Sequence, residues 1–230
     1  MIKSFGRNLR GHIGLAILLG ATVTASGCVS LLPEAEPADI IYRLKTDIPT
    51  KPPLMGAPVI RIDRPTVAAE LRGTDISLYG IETQVTRAAG AAWSGDIPTM
   101  VQRSLFDVMS GRERLIGVLP NSGARPTYRV SLNVRSFEAN FDNGKTMAPL
   151  VVSHYSVVLS DGATRKLIST YDVREEKRAS AARVSEIVRT QSEVNQEALT
   201  SIAKWLDETL WSMKTPTKPA QAAENKYSAG

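Results

Sequence analysis

Very few side chains in this sequence could do chemistry. There is one cysteine, Cys28, and there are two histidines, His12 and His154. Cys28 follows the small residues Ala25-Ser26-Gly27, which suit a processing protease, and its sulfur is a nucleophile that a lipid transferase can alkylate. His154 stands between Ser153 and Tyr155 in a strand-like stretch, where a hydrogen-bonded structural or surface histidine is the preferred reading over a catalytic base. The acids Glu175 and Glu176 sit beside Arg174, Lys177 and Arg178, which reads as a solvated charge run. No Cys/His cluster has metal-ligand spacing, and neither a Gly-x-Ser-x-Gly elbow nor a phosphate-cradling Gly-rich loop occurs. The inventory predicts a non-enzyme with no cofactor and no metal.

The position of Cys28 explains why it is there. Residues 13–28 form an apolar run after a basic start (Lys3, Arg7, Arg10). The run is shorter than the roughly 20 residues needed to span a bilayer. This is the pattern of an export signal over residues 1–27. The ending Ala25-Ser26-Gly27-Cys28 resembles the bacterial lipobox, with Ala25 where Leu is usual. The resemblance implies that Cys28 becomes the first mature residue and carries diacylglycerol, and palmitate when fully acylated. The alternative is cleavage by the general signal peptidase, which leaves Cys28 a free terminal thiol. Lipidation is preferred, because a lone exported cysteine has no disulfide partner in its own chain. Val29 follows Cys28. By the sorting rule that goes with the lipobox, the absence of Asp there directs the protein to the outer membrane, facing the periplasm.

After the signal, 203 of the 230 residues remain, enough for one sizeable core. The charge surplus of five includes the three basic residues of the signal, leaving two, and no basic stripe of the kind a nucleic acid requires is present. Residues 28–39, with Pro33, Pro37 and the acids Glu34, Glu36 and Asp39, read as a lipidated tether.

Several elements are predicted in the domain that follows, residues 40–213. Ile40, Tyr42 and Leu44 alternate as a first strand, a Pro-rich connection covers 49–58, and Val59–Arg64 resumes alternation up to Pro65. Ile76–Tyr79 and 81–87 are expected as a hairpin, with the Ala-rich run 88–92 poor in β-propensity. Ile97, Val101, Leu105 and Met109 mark a helix capped by Asp96, with Pro98 in its first turn and Gly111 at its end. Strands are predicted at 115–119, 127–139, 148–159 and 166–173, separated by turns at Asp142-Asn143-Gly144 and Ser160-Asp161-Gly162. The segment 179–189 reads as a polar linker. Thr190 with Glu193 has capping-box spacing, so the last helix is expected over 190–213, with Val194, Ala198, Ile202, Leu206 and Leu210 buried. Residues 214–230, rich in Pro, Ala and Lys, read as a disordered tail.

These elements predict an α+β fold, a single antiparallel sheet with two main helices packed on one face. Trp93 packs beside the first helix or anchors an interface, packing being preferred. Trp205 and Trp211, six apart on the last helix, face different sides, and Trp211 is the candidate for an exposed contact.

In order, the chain shows a lipobox, Tyr42-Arg43-Leu44, a strand ending at Pro65, Trp93 shortly before the Pro98 helix, a Tyr-x-Val-x-Leu strand and an amphipathic C-terminal helix. The series resembles the ABC-type transport auxiliary lipoprotein family over roughly residues 40–212, although Gly95 stands where related sequences often carry an acid. The resemblance implies a non-enzymatic partner of an MCE-domain protein and an ABC permease and ATPase that move lipid between the two membranes. It implies membrane attachment through Cys28 and is compatible with a homo-oligomer. The alternative reading is an envelope-assembly lipoprotein that serves outer-membrane protein or lipopolysaccharide insertion.

Overall fold

Strand β7, Tyr128–Asn140, is the axis of the sheet. In the computed structural model, which describes residues 38–81 and 84–214, one edge of β7 pairs antiparallel with β8, Leu150–Asp161. Its other edge is shared by three short parallel strands: β2 (Val59–Ile62), β3 (Thr66–Val67) and β4 (Asp75–Tyr79). Strand β5 (Val85–Trp93) lies antiparallel to β4, and β1 (Ile40–Tyr42) lies parallel to β5. Strand β6 (Ile116–Val118) joins β2 in parallel, and β9 (Leu167–Arg178) lies antiparallel to β8.

Helices α1 (Ile97–Ser110) and α2 (Val184–Lys214) complete an α+β fold. The sheet is mixed, which corrects the expectation of an antiparallel one. Period-2 alternation is the same in both kinds of strand, and a parallel pair requires a long crossover. The stretch between β2 and β6, which contains α1, supplies such a crossover.

Both helices feed one core on one face of the sheet. Val130, Leu132 and Val134 of β7 and Tyr155, Val157 and Leu159 of β8 share that cluster with Leu105 and Met109 of α1 and Leu199, Ile202 and Leu206 of α2. The opposite face of β7 is polar. There the Arg129 guanidinium meets Asp63 at 2.8 Å, and Ser131 Oγ donates to the same carboxylate at 3.1 Å. A register shift between Val134 and Ser136 turns Phe137 and Ala139 inward, as a β-bulge does by inserting one residue.

Helix α1 forms for the expected reasons. The Asp96 side chain accepts from the Thr99 amide at 2.8 Å, Pro98 occupies the first turn, and Gly111 caps the end. Three boundaries differ from expectation. Strand β5 continues through the alanines to Trp93, because Ala91 and Ala92 are paired with β1 and Ala92 also faces β4. Partners on both sides outweigh propensity there, and Gly90, at φ +66°, takes up the irregularity. Strand β9 runs five residues past Val173, since β8 offers a ladder along that whole length and the charges dock. Lys177 meets Glu193 at 2.8 Å and Arg178 meets Asp142 at 2.7 Å. Helix α2 begins at Val184, so the expected capping box is helix interior. Thr190 Oγ1 donates to Glu186 O at 2.9 Å. The added turns bury Ile187 and Val188 and align Arg189 with Glu186 and Glu193. The buried stripe from Val194 to Leu210 is the expected one, and half-buried Trp205 stacks on Tyr171 at 5.2 Å.

A polar seam lies beneath α2. The Tyr155 hydroxyl donates to Asn195 Oδ1 at 2.7 Å, and Gln191 Nε2 donates to Ser153 Oγ at 2.8 Å, all fully or almost fully buried. Burial pushes the Tyr155 phenol above its ordinary value, so it remains a donor. Asn195 Nδ2 has no partner among the described residues. Tyr155→Phe should cost about 1–3 kcal/mol, because it strands a second buried Asn195 atom. Tyr155→Phe combined with Asn195→Leu should recover most of that loss in urea unfolding. A double variant no better than the single one would show that the bond is not what holds the seam.

On the outer face, just past the bulge, burial pushes the Glu138 carboxyl above the usual range even though it accepts from the Phe137 amide at 3.1 Å. The fold therefore disfavours its charge. The stability that Glu138 contributes is full below the unfolded value of about 4.3 and is lost as pH rises through the folded one. Glu138→Gln should raise the Tm at pH 7, with the gain shrinking as the solution is acidified. A pH-independent difference in Tm would refute this account.

Candidate functional site

The polar groups that could have been catalytic serve the sheet. His154 is 23 % exposed in its side chain, and its Nε2 lies 2.8 Å from Asp172 Oδ1 on the neighbouring strand. Ser156 Oγ donates to Asp172 Oδ2 at 2.8 Å. The His154 and Ser156 hydrogen bonds hold the Asp172 carboxyl below its usual range. A nucleophilic serine needs its hydroxyl on the base. Here both groups address the same carboxylate, so the trio ties β8 to β9. Glu175 and Glu176 are adjacent on a strand and point to opposite faces, and Glu176 pairs with Arg174 at 3.0 Å. Among the described residues no group of three His, Cys, Asp or Glu side chains is placed to hold a metal, and no helix is long and apolar enough to cross a membrane.

The two flagged tryptophans have different fates. Trp93 is 3 % exposed, and its ring meets Phe137 edge-on at 5.8 Å. It is a core residue with no surface to offer a partner, which corrects the interface reading for it. Trp211 is 53 % exposed near the end of α2. The Arg114 guanidinium lies 4.9 Å from its ring centroid, a cation–π distance. Arg114 also grips the buried Asp207 through Nη2 at 2.8 Å and Nε at 3.1 Å. Cys28 and the expected tail from 215 onward lie outside the described residues.

What surrounds Trp211 comes from the Pro-rich segment. After β1 the chain runs beside α2. The Lys45 amide donates to Ser192 Oγ at 3.2 Å, and the Asp47 amide donates to Gln196 Oε1 at 2.9 Å. The Lys51 amide then donates to Ser110 O at 2.8 Å, and the Leu54 amide to Glu113 O at 2.7 Å. This brings Leu54 and Met55, both exposed, next to Trp211, where Lys214 Nζ donates to Gly56 O at 2.9 Å. The groove between them measures about 80 Å³. Two larger grooves, about 720 and 590 Å³, flank residues 42–45 and face α1 and α2 respectively. Sequence reasoning marked Trp211 but missed Leu54 and Met55. The signal was there, as two apolar residues between Pro53 and Gly56 in a connection with nothing else to bury.

The arrangement is an exposed apolar tip, an indole held by an arginine, and cations around both. Comparison with known proteins supplies the wider setting. A search of curated proteins gives no significant match. Among solved structures, protein XCC0632 from Xanthomonas campestris superposes with a TM-score of 0.65 at 13 % identity, covering 76 % of this chain and 99 % of that one. A second crystal structure, of an uncharacterized protein, gives a TM-score of 0.60 at 14 % identity over 74 % of this chain and 99 % of its own. At these identities the likeness shows the fold alone. The family model described as the ABC-type transport auxiliary lipoprotein component matches residues 42–203, which runs from the last residue of β1 through β2–β9 and α1 and takes in α2 as far as Ala203. The chain belongs to the ABC-type transport auxiliary lipoprotein family.

Proposed function

We propose that this protein is a lipid-anchored, non-enzymatic auxiliary of an MCE-type lipid transport system, held by Cys28 at the periplasmic face of the outer membrane. The observation that carries the reading is the family match over residues 42–203 in a chain whose export signal ends at its one cysteine. A transport auxiliary needs a fixed position and a docking surface, and ATP is used by other subunits. The tether sets the position: acyl chains on Cys28 satisfy the need for more than one lipid signal in stable anchoring. Val29, directly after the cysteine, supports outer-membrane sorting. The polar use of His154, Ser156 and Asp172 to join two strands favours a binding role over hydrolysis.

Metabolic labelling with an alkynyl palmitate should mark the wild-type chain and leave Cys28→Ser unmarked, and only the labelled protein should fractionate with the outer membrane. Affinity capture of the acylated chain after in-cell cross-linking should recover an MCE-domain protein with its permease. Recovery of outer-membrane assembly factors in their place would transfer the protein to envelope assembly.

A further inference from the structure

The surface around Trp211 is shaped for something broader than a small ligand. Its groove of about 80 Å³ is far smaller than the two beside residues 42–45. The surface projects instead: Met55 is fully exposed, and Leu54 and Trp211 are each 53 % exposed. Around them stand Lys51, Arg112, Arg114 and Lys214 against the acids Glu113 and Asp207. Arg114 neutralises Asp207, and Lys51 lies 4.0 Å from Glu113. The surplus belongs to Arg112 and Lys214.

We infer that this end of the domain docks on a bilayer surface that carries anionic phospholipid. Leu54 and Met55 enter the headgroup boundary, and Trp211 lies level with it. That is where an indole with one apolar and one polar side is most stable. Lys214 and the remaining donors of Arg112, whose Nη2 donates to Thr200 O at 3.4 Å, meet the phosphates, an attraction that anionic lipid strengthens. A protein partner would be met by a surface depleted of lysine at its centre, whereas here long cations reach in from the rim to the apolar tip.

Position supports the same occupant. The chain follows α2 from Ser192 to the neighbourhood of Trp211, about 28 Å along a helix at 1.5 Å per residue. Between Cys28 and Ile40 the backbone can span at most about 40 Å. Acyl chains on Cys28 would hold the whole domain, this end included, close to a bilayer. The inference rests on the lipid-anchored reading and adds which surface of the domain faces the lipid.

The test uses the full acylated chain, reconstituted into vesicles of phosphatidylcholine and phosphatidylglycerol with or without brominated acyl chains. Flotation reads the anchor, and bromine quenching of tryptophan emission reads the patch. Trp93 is buried and Trp205 is stacked on Tyr171, so quenching reports Trp211. Emission should fall in brominated vesicles, and the fall should disappear in Trp211→Phe. It should shrink in Leu54→Ser/Met55→Ser, which changes only exposed side chains, and also when phosphatidylcholine replaces the phosphatidylglycerol. A chain that floats with unchanged emission overturns the docking while the anchor stands. A Cys28→Ser chain that floats and is quenched as fully as the wild type keeps the docking and loses the anchor. A chain that does neither overturns both, and a patch that binds a purified MCE-domain protein while remaining unquenched on vesicles also overturns the docking.

Discussion

A thirteen-residue strand in the middle of a sheet must find partners for its backbone amides and carbonyls on both edges. The rest of the domain follows from how β7 meets that demand. Antiparallel β8 satisfies one edge in a single pass, because a hairpin can return the chain directly. The other edge is filled by three short parallel strands in turn, which obliges the chain to travel before it comes back to β7. The helix α1 lies in that journey, and its buried face covers the sheet it has left.

The second helix meets the other half of the sheet. Its thirty-one residues cover β8 and β9 with an apolar stripe, a buried Tyr155–Asn195 bond and ion pairs at the margin. The margin matters because β9, twelve residues long, pairs only with β8 among the described residues. Charged side chains along its second half make its other edge a poor template for another strand. The charge run therefore has a structural role as well as a solvating one.

Much of this was legible in the sequence where one rule acted alone. Asp96, Pro98 and Gly111 bounded a helix because each satisfies a helix end locally, and alternation from Tyr128 to Val134 marked a two-faced strand because one face is dry. Legibility failed where tertiary partners decided the matter. Ala88–Ala92 have little preference of their own and became strand because β1 and β4 lie on either side. Thr190 and Glu193 have the spacing of a cap, yet Ile187 and Val188 had apolar surface to bury and drew the helix six residues further back. Strand direction was invisible, since parallel and antiparallel strands alternate alike. At the candidate surface the sequence exposed Trp211 through helical phase, but the approach of Leu54 and Met55 depends on hydrogen bonds such as Asp47 to Gln196, 149 residues apart.

The way β1 joins the sheet has a mechanical consequence. A pull on the N-terminal end of the domain arrives at a strand of three residues that pairs only with β5 and whose Ile40 and Ile41 are largely exposed. Just behind it, the segment along α2 is held by separate side-chain bonds from Ser192 and Gln196. Under tension β1 would peel away first, lengthening the leash by roughly 10 Å while the core beneath the helices remained closed. The ladder that yields first is the one whose loss leaves the core untouched.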